Sequence, residues 1–273
     1  MNLSPPALLR WYLEVGVDEV VGEVPVNRYA TPVSSSSTPP PPALPAASPG
    51  SMSHASVRAT TSLLPFAPPP SFTLRTAAEL AACCTTLEAL RAAIADFEGC
   101  ALKTPVANTV FADGVPAAPV MVIGEAPGIE EDRQGLPFVG PSGRLLDRML
   151  ESIGLERHRN CYITNVVPWR PPANRKPMPA EVSALLPFLE RHIVLVNPQI
   201  LLLVGGLAAS VVLARNEGIM RLRGQWLEYS AGLPRPIPAI ATFHPAYLLR
   251  SPAQKRLAWR DLLALKQRLE SLP

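Results

Sequence analysis

The chain has 273 residues, a formal charge of +3 at neutral pH and 48% hydrophobic residues, enough apolar material for a substantial buried core. No run reaches the roughly 18 to 20 apolar residues that span a bilayer, and the start, MNLSPPALLRWYLEVGVDEV, lacks a basic stretch followed by a continuous apolar one. The expectation is a cytoplasmic protein that makes no membrane contact. Its four cysteines, Cys83, Cys84, Cys100 and Cys161, contain no C-x-x-C pair to seed a metal site, so they read as reduced thiols.

The charge is unevenly spread. The first 72 residues carry Arg10, Arg28 and Arg58 against Glu14, Asp18, Glu19 and Glu23, which leaves the remainder at +4. That excess permits a phosphate-binding face without demanding one.

Residues 1–28 form an N-terminal element. Pro5 and Pro6 are placed to start a helix, and Leu8, Leu9, Trp11, Tyr12, Leu13 and Val15 follow. It reads either as a helix docked on the main domain or as a recruitment peptide that folds on a partner protein. Residues 29–72 are dominated by Pro, Ser, Ala and Thr, with almost no charge, and are expected to be a disordered linker with polyproline character.

Residues 73–273 hold the main domain. A helix is predicted from Thr76 to about Phe97, with Thr76 as its N-cap. Four short apolar runs then alternate with amphipathic segments: PVMVIGE before SGRLLDRMLESIGL, CYITNVV before PAEVSALLPFLERHIVLV, QILLLVGG before LAASVVLAR, and IPAIATF before PAQKRLAWRDLLALKQRL. Strands alternating with helices imply a parallel sheet covered on both faces, an α/β/α sandwich with four strands.

The candidate chemistry lies where these strands end, since open parallel sheets bind ligands beyond their carboxyl ends. The first strand leads into GEAPGIEEDRQGLPFVG. Its G-x-x-x-G spacing does not match a dinucleotide turn, so Gly124 and Gly128 read as points of close backbone approach to a ligand, with Glu125 either catalytic or capping the next turn. Phe138 is a base-stacking aromatic or a core residue, and Ser142 a phosphate contact or a plain N-cap. Asn165 ends the second strand, where its amide could read the edge of one base or satisfy a loop carbonyl. Arg170, Arg175 and Lys176 follow in a proline-rich loop as phosphate contacts or solvated charges. His244 ends the last strand, before HPAYLLR is complete, and could donate to an oxygen that gains charge in a transition state. His54, His158 and His192 are assigned no role.

In order and spacing, GEAPG-x-x-E-D, G-x-PFVG, N-x-x-x-x-RPP-x-NR and HPAYLLR resemble the uracil-DNA glycosylase superfamily, and most closely its family 4 branch, over about Cys100 to Pro273. The resemblance implies a monomeric DNA repair enzyme that flips uracil out of single- or double-stranded DNA, cleaves its N-glycosidic bond and releases uracil. Carried over by position, Phe138 stacks on the base, Asn165 reads its O4 and N3–H, His244 donates to O2, and Glu125 orients the attacking water. Gly124, Ala126 and Gly128 line the pocket, Leu248 or Leu249 fills the gap in the duplex, Arg250 touches phosphate, and Asp132 aligns with an acid of uncertain role. A DNA-binding protein of the same fold with little turnover, or an interaction protein organised by the N-terminal helix, are the alternatives.

Two features depart from the family pattern. Family 4 enzymes typically hold a [4Fe–4S] cluster through four cysteines, whereas only Cys100 fits here; Phe97, Trp169 and a position near Leu185 stand where the other three belong. The expectation is a protein with neither cluster nor metal. In the best-known branch a tyrosine after the motif proline excludes thymine, and Gly128 occupies that place.

Overall fold

The computed structural model describes residues 76–104 and 107–272. The N-terminal element and the linker lie outside the described residues. The strands are β1 (Ala112–Gly114), β2 (Val120–Gly124), β3 (Cys161–Asn165), β4 (Ile200–Val204), β5 (Trp226–Tyr229) and β6 (Ile237–Thr242). The helices, in chain order, are α1 (Ala77–Cys83), α2 (Leu87–Asp96), α3 (Ile129–Gln134), α4 (Pro141–Glu151) and α5 (Arg157–Asn160). They continue with α6 (Pro179–Val196), α7 (Gly206–Val212), α8 (Ile219–Leu222), α9 (Pro245–Arg250) and α10 (Lys255–Glu270).

The sheet runs β1-β3-β2-β4-β6-β5. Its centre, β3-β2-β4-β6, is parallel and corresponds to the four predicted runs, which are mostly apolar because helices cover both faces, with the buried polar residues Thr164, Asn165 and Thr242 towards the strand ends. Every residue of β2, β3 and β4 is buried. The sequence expectation of four strands is corrected at the edges, where β1 pairs antiparallel with β3 and β5 antiparallel with β6. Neither edge strand is long or apolar enough to announce itself.

A second correction concerns the helix predicted from Thr76 to Phe97. Thr76 does cap α1, in a capping box with Glu79. The chain breaks after Cys83, however, because Thr86 caps a new helix by accepting from the Ala89 N–H at 3.1 Å. Among the described residues no helix is long and apolar enough to cross a membrane.

The order of the central strands positions the site. The chain passes from β2 to β3 on one side and returns to β4 on the other, so the direction of winding reverses beside β2. Loops on the carboxyl side diverge there and leave a crevice.

Beneath one face of the sheet, His192 is buried in α6. It stacks on Phe111 with ring centres 4.4 Å apart and meets the Tyr162 hydroxyl at 2.8 Å. Burial pushes its pKa down to about 3. An unfolded imidazole takes up a proton near pH 6.5, which the folded one refuses. Stability is therefore lost as pH falls from about 6.5 towards 3, at up to roughly 1.4 kcal/mol per pH unit from this residue. Urea unfolding between pH 4 and 7 is expected to show that slope reduced in His192→Gln, which keeps a partner for Tyr162; an unaltered slope would rule His192 out as its source.

Candidate active site

A cleft of about 640 Å³ opens over the carboxyl ends of β2, β3 and β6. Glu125 enters it directly after β2, Asn165 as the last residue of β3, and His244 from the turn between β6 and α9. Residues 119 positions apart in sequence thus share one crevice because their strands are parallel.

The wall opposite is the loop carrying Phe138. Phe138 adopts a left-handed backbone conformation, φ 55°, which a non-glycine residue holds only under external constraint. That constraint comes from two sides. The Glu131 carboxylate accepts the N–H groups of Val139 and Gly140 at 3.0 and 2.9 Å, and that of Gly128 at 3.1 Å. Arg157 donates to the carbonyls of Pro137 and Phe138, each at 2.7 Å, while its charge is met by Asp113 at 3.0 Å and Asp147 at 2.9 Å. The loop is held by its donors and by its acceptors.

Held in this way, the Phe138 ring lies 5.7 Å from the His244 ring. Gly124 is needed below it, since a Cβ there would collide with the Phe138 ring and with Asn165 Oδ1. Asn165 Oδ1 is buried with no hydrogen-bond partner among the described residues. An orphaned buried acceptor costs roughly 1–3 kcal/mol, which a ligand N–H would recover.

Desolvation acts on the two titratable groups in opposite senses. It raises the Glu125 pKa above the usual carboxylate value, against a lowering by Lys176. It pushes His244 down to about 4, with Arg250 adding to the effect and Glu131 opposing it. His244 Nδ1 accepts the Ala246 N–H at 3.1 Å. A neutral imidazole with an accepting Nδ1 carries its proton on Nε2, so His244 is a neutral donor.

Residues 111–263 match the model of the Uracil DNA glycosylase superfamily. The chain belongs to that superfamily. It is 33% identical over 187 residues to a type-4 uracil-DNA glycosylase of Sulfurisphaera tokodaii, covering 67% of this chain and 84% of that one. It is 36% identical over 166 residues to a type-4 uracil-DNA glycosylase of Thermotoga maritima (60% and 84%), and 38% over 157 residues to one of Archaeoglobus fulgidus (56% and 78%).

In this superfamily member the cleft gathers Glu125, Ala126, Gly128, Phe138 and Asn165 with His244, and Ser142, Arg175, Lys176 and Arg250 also line it. Gly124 does not line it but lies directly against Phe138 and Asn165, which do. Ser142 is not the N-cap of α4, a position taken by Gly140. Arg175 is committed to the buried Glu181 carboxylate, 2.9 Å from Oε2, so Lys176 is the freer cation on that rim. Arg170 bonds Asn174 at 2.7 Å and does not line the cleft.

The alternative of Leu248 as the inserted residue is corrected. Leu248 is 1% exposed and packs with Phe243 and Ala258, whereas Leu249 is 44% exposed. Asp132 lies outside the cleft and accepts the Asn108 N–H at 3.1 Å. A Cβ at Gly128 would sit 2.7 Å from Glu131 Oε2, so a side chain there would displace the carboxylate that holds the Phe138 loop.

Sequence reasoning missed Glu131 and Arg157. Glu131 was legible as a carboxylate three residues after Gly128, the capping-box spacing. Arg157 carried no signal, since its partners lie 10 to 44 residues away. Arg157→Ala would leave Asp113 and Asp147, both partly exposed, and the carbonyls of Pro137 and Phe138 without their largely buried donor, and is expected to cost about 3 kcal/mol in urea unfolding. Arg157→Lys should recover only part, lacking the planar fork; a loss below about 1 kcal/mol for the alanine variant would contradict the clamp.

Proposed function

We propose that this chain is a uracil-DNA glycosylase of DNA repair, which extrudes uracil from DNA and hydrolyses its N-glycosidic bond to leave an abasic site and free uracil. The observation that carries this is the convergence of Glu125, Phe138, Asn165 and His244 on one cleft, in a member of the superfamily with type-4 relatives. Chemistry on a base requires its removal from the stack. The flipped uracil stacks on Phe138 and gives its N3–H to the unpartnered Asn165 Oδ1, an exchange that cytosine, with no N3–H, does not offer.

The bond from C1′ to N1 breaks with its electron pair leaving on the base. His244 Nε2–H donates to O2 as negative charge gathers there. The Glu125 carboxylate faces the cationic sugar and orients a water, which adds to C1′ and gives its proton to that carboxylate; the proton ends on the uracil anion, so that neutral uracil leaves. Leu249 fills the vacated stack, while Arg250, Ser142 and Lys176 meet the backbone phosphates.

A single-uracil oligonucleotide, single-stranded or duplex, incubated with the protein and treated with alkali, is expected to break at the uracil. Glu125→Gln and His244→Ala should each lower the single-turnover rate by about 100-fold or more. Because the raised Glu125 must be ionised, the rate falls as pH drops through its pKa; His244, already neutral above about pH 4, adds no inflection between pH 6 and 8. No breakage above the Glu125→Ala, His244→Ala double variant would overturn the enzyme, and a retained gel shift would then favour a DNA-binding protein.

The cluster of family 4 does not fit the residues present. Cys100 is a buried thiol, and the positions expected to supply its fellow ligands hold Phe97, Trp169 and Leu185, which belong to the same buried apolar core. None of the three offers a thiolate for iron. We infer that the protein folds without a cluster. Anaerobically purified protein is expected to lack the brown colour and to contain no stoichiometric iron or sulfide; finding both would refute this.

A further inference from the structure

Two further hollows lie beside the cleft, and of their lining only Leu249 has a part in the reaction above. The first, of about 250 Å³, is lined by Arg144, Arg148, Leu249 and Lys255, and by Pro141, which also lines the cleft. The second, of about 260 Å³, shares Arg148 and Lys255 and ends at Trp259. The three form one continuous track, from the strand ends across α4 to α10.

The track has a distinct chemistry. No carboxylate lines either hollow. Among the described residues Arg144, Arg148 and Lys255 enter no ion pair. Unneutralised cations held along one groove repel one another unless a polyanion covers them. Trp259 is 41% exposed, one turn beyond Lys255 on the same stripe of α10. Cations tracking a groove with an exposed aromatic at its end are what a single nucleic-acid strand meets: phosphates on the charges, a base on the ring.

We propose that this track binds the DNA strand flanking the flipped nucleotide, with Arg144, Arg148 and Lys255 on its phosphates and Trp259 stacked on a base at the far end. The proposal rests on the glycosylase reading, through the continuity of the track with the cleft. From Pro141 to Ser152, which lines the second hollow, α4 rises about 16 Å at roughly 1.5 Å per residue. That distance takes about five nucleotides of a stacked strand at roughly 3.4 Å each. The track therefore reads strand length rather than sequence.

The test is single-turnover excision by the full chain from single-stranded oligonucleotides whose uracil carries one to eight nucleotides on one side, the other side held fixed, for each side in turn. On one side the second-order rate should rise up to about five nucleotides and then level. Trp259→Ala should remove about 10-fold of that gain, and Trp259→Phe, which keeps a stacking face, should restore most of it. In Arg148→Ala, Lys255→Ala the slope of log binding constant against log salt should shrink by about 1.4, or about 0.7 per lost phosphate contact. Excision from the shortest oligonucleotide reports separately on the glycosylase reading. If it proceeds while flank dependence and salt slope are the same in wild type and variants, the track is overturned and the glycosylase stands.

Discussion

The site depends on a loop whose backbone is held from both sides. Val139 and Gly140 direct their N–H groups at Glu131, and Pro137 and Phe138 their carbonyls at Arg157, so these four polar groups meet charged partners. Only under that double restraint does Phe138 keep its left-handed backbone. Removing either charge would leave the loop free to relax to an ordinary conformation, and the aromatic wall of the cleft would go with it. The two charges are anchored differently. Glu131 belongs to α3, next to the cleft, while Arg157 reaches across from α5 and is itself fixed by Asp113 and Asp147.

What the sequence made legible follows from how far each signal travels. The central strands announce themselves because a strand buried on both faces reads as a near-continuous apolar run. The edge strands do not, because β1 is the tripeptide Ala112–Gly114, with no buried residue, and β5 is largely half-exposed. The break between α1 and α2 depended on a threonine choosing to cap rather than continue a helix, which apolar periodicity cannot register. The cleft residues were legible because they sit at strand ends, where position implies convergence. Whether Leu248 or Leu249 faces outward was not, since that depends on the phase of α9 against Phe243.

One desolvated environment sets Glu125 and His244 to different charges. Burial opposes charge on both, yet its size differs: His244 loses its proton by about pH 4, whereas Glu125 is eased back towards ionisation by Lys176. With Glu125 ionised, the cleft holds an anion facing where positive charge would develop and a neutral donor facing where negative charge would collect. A charged imidazole would bring its own desolvation cost and lie beside Arg250; the neutral tautomer fixed by the Ala246 N–H avoids both.

The loop beyond β3 must be rigid if Lys176 is to meet a phosphate beside Asn165, and the ties that make it so are local. Trp169 is fully buried, and its indole N–H donates to Thr109 at 3.2 Å. The neighbouring Val110 N–H reaches the Pro168 carbonyl at 2.9 Å, and the Thr164 hydroxyl donates to the Phe111 carbonyl. Two residues earlier, Asn108 is bonded to Asp132 on α3. Residues 108 to 111 thus stitch the helix bearing Glu131 to the loop bearing Lys176. Asp132 takes its place in that stitching, at the back of α3, while its neighbour Glu131 faces the cleft. An indole in the core and a few hydrogen bonds to residues 108 to 111 thus join the two sides of the cleft.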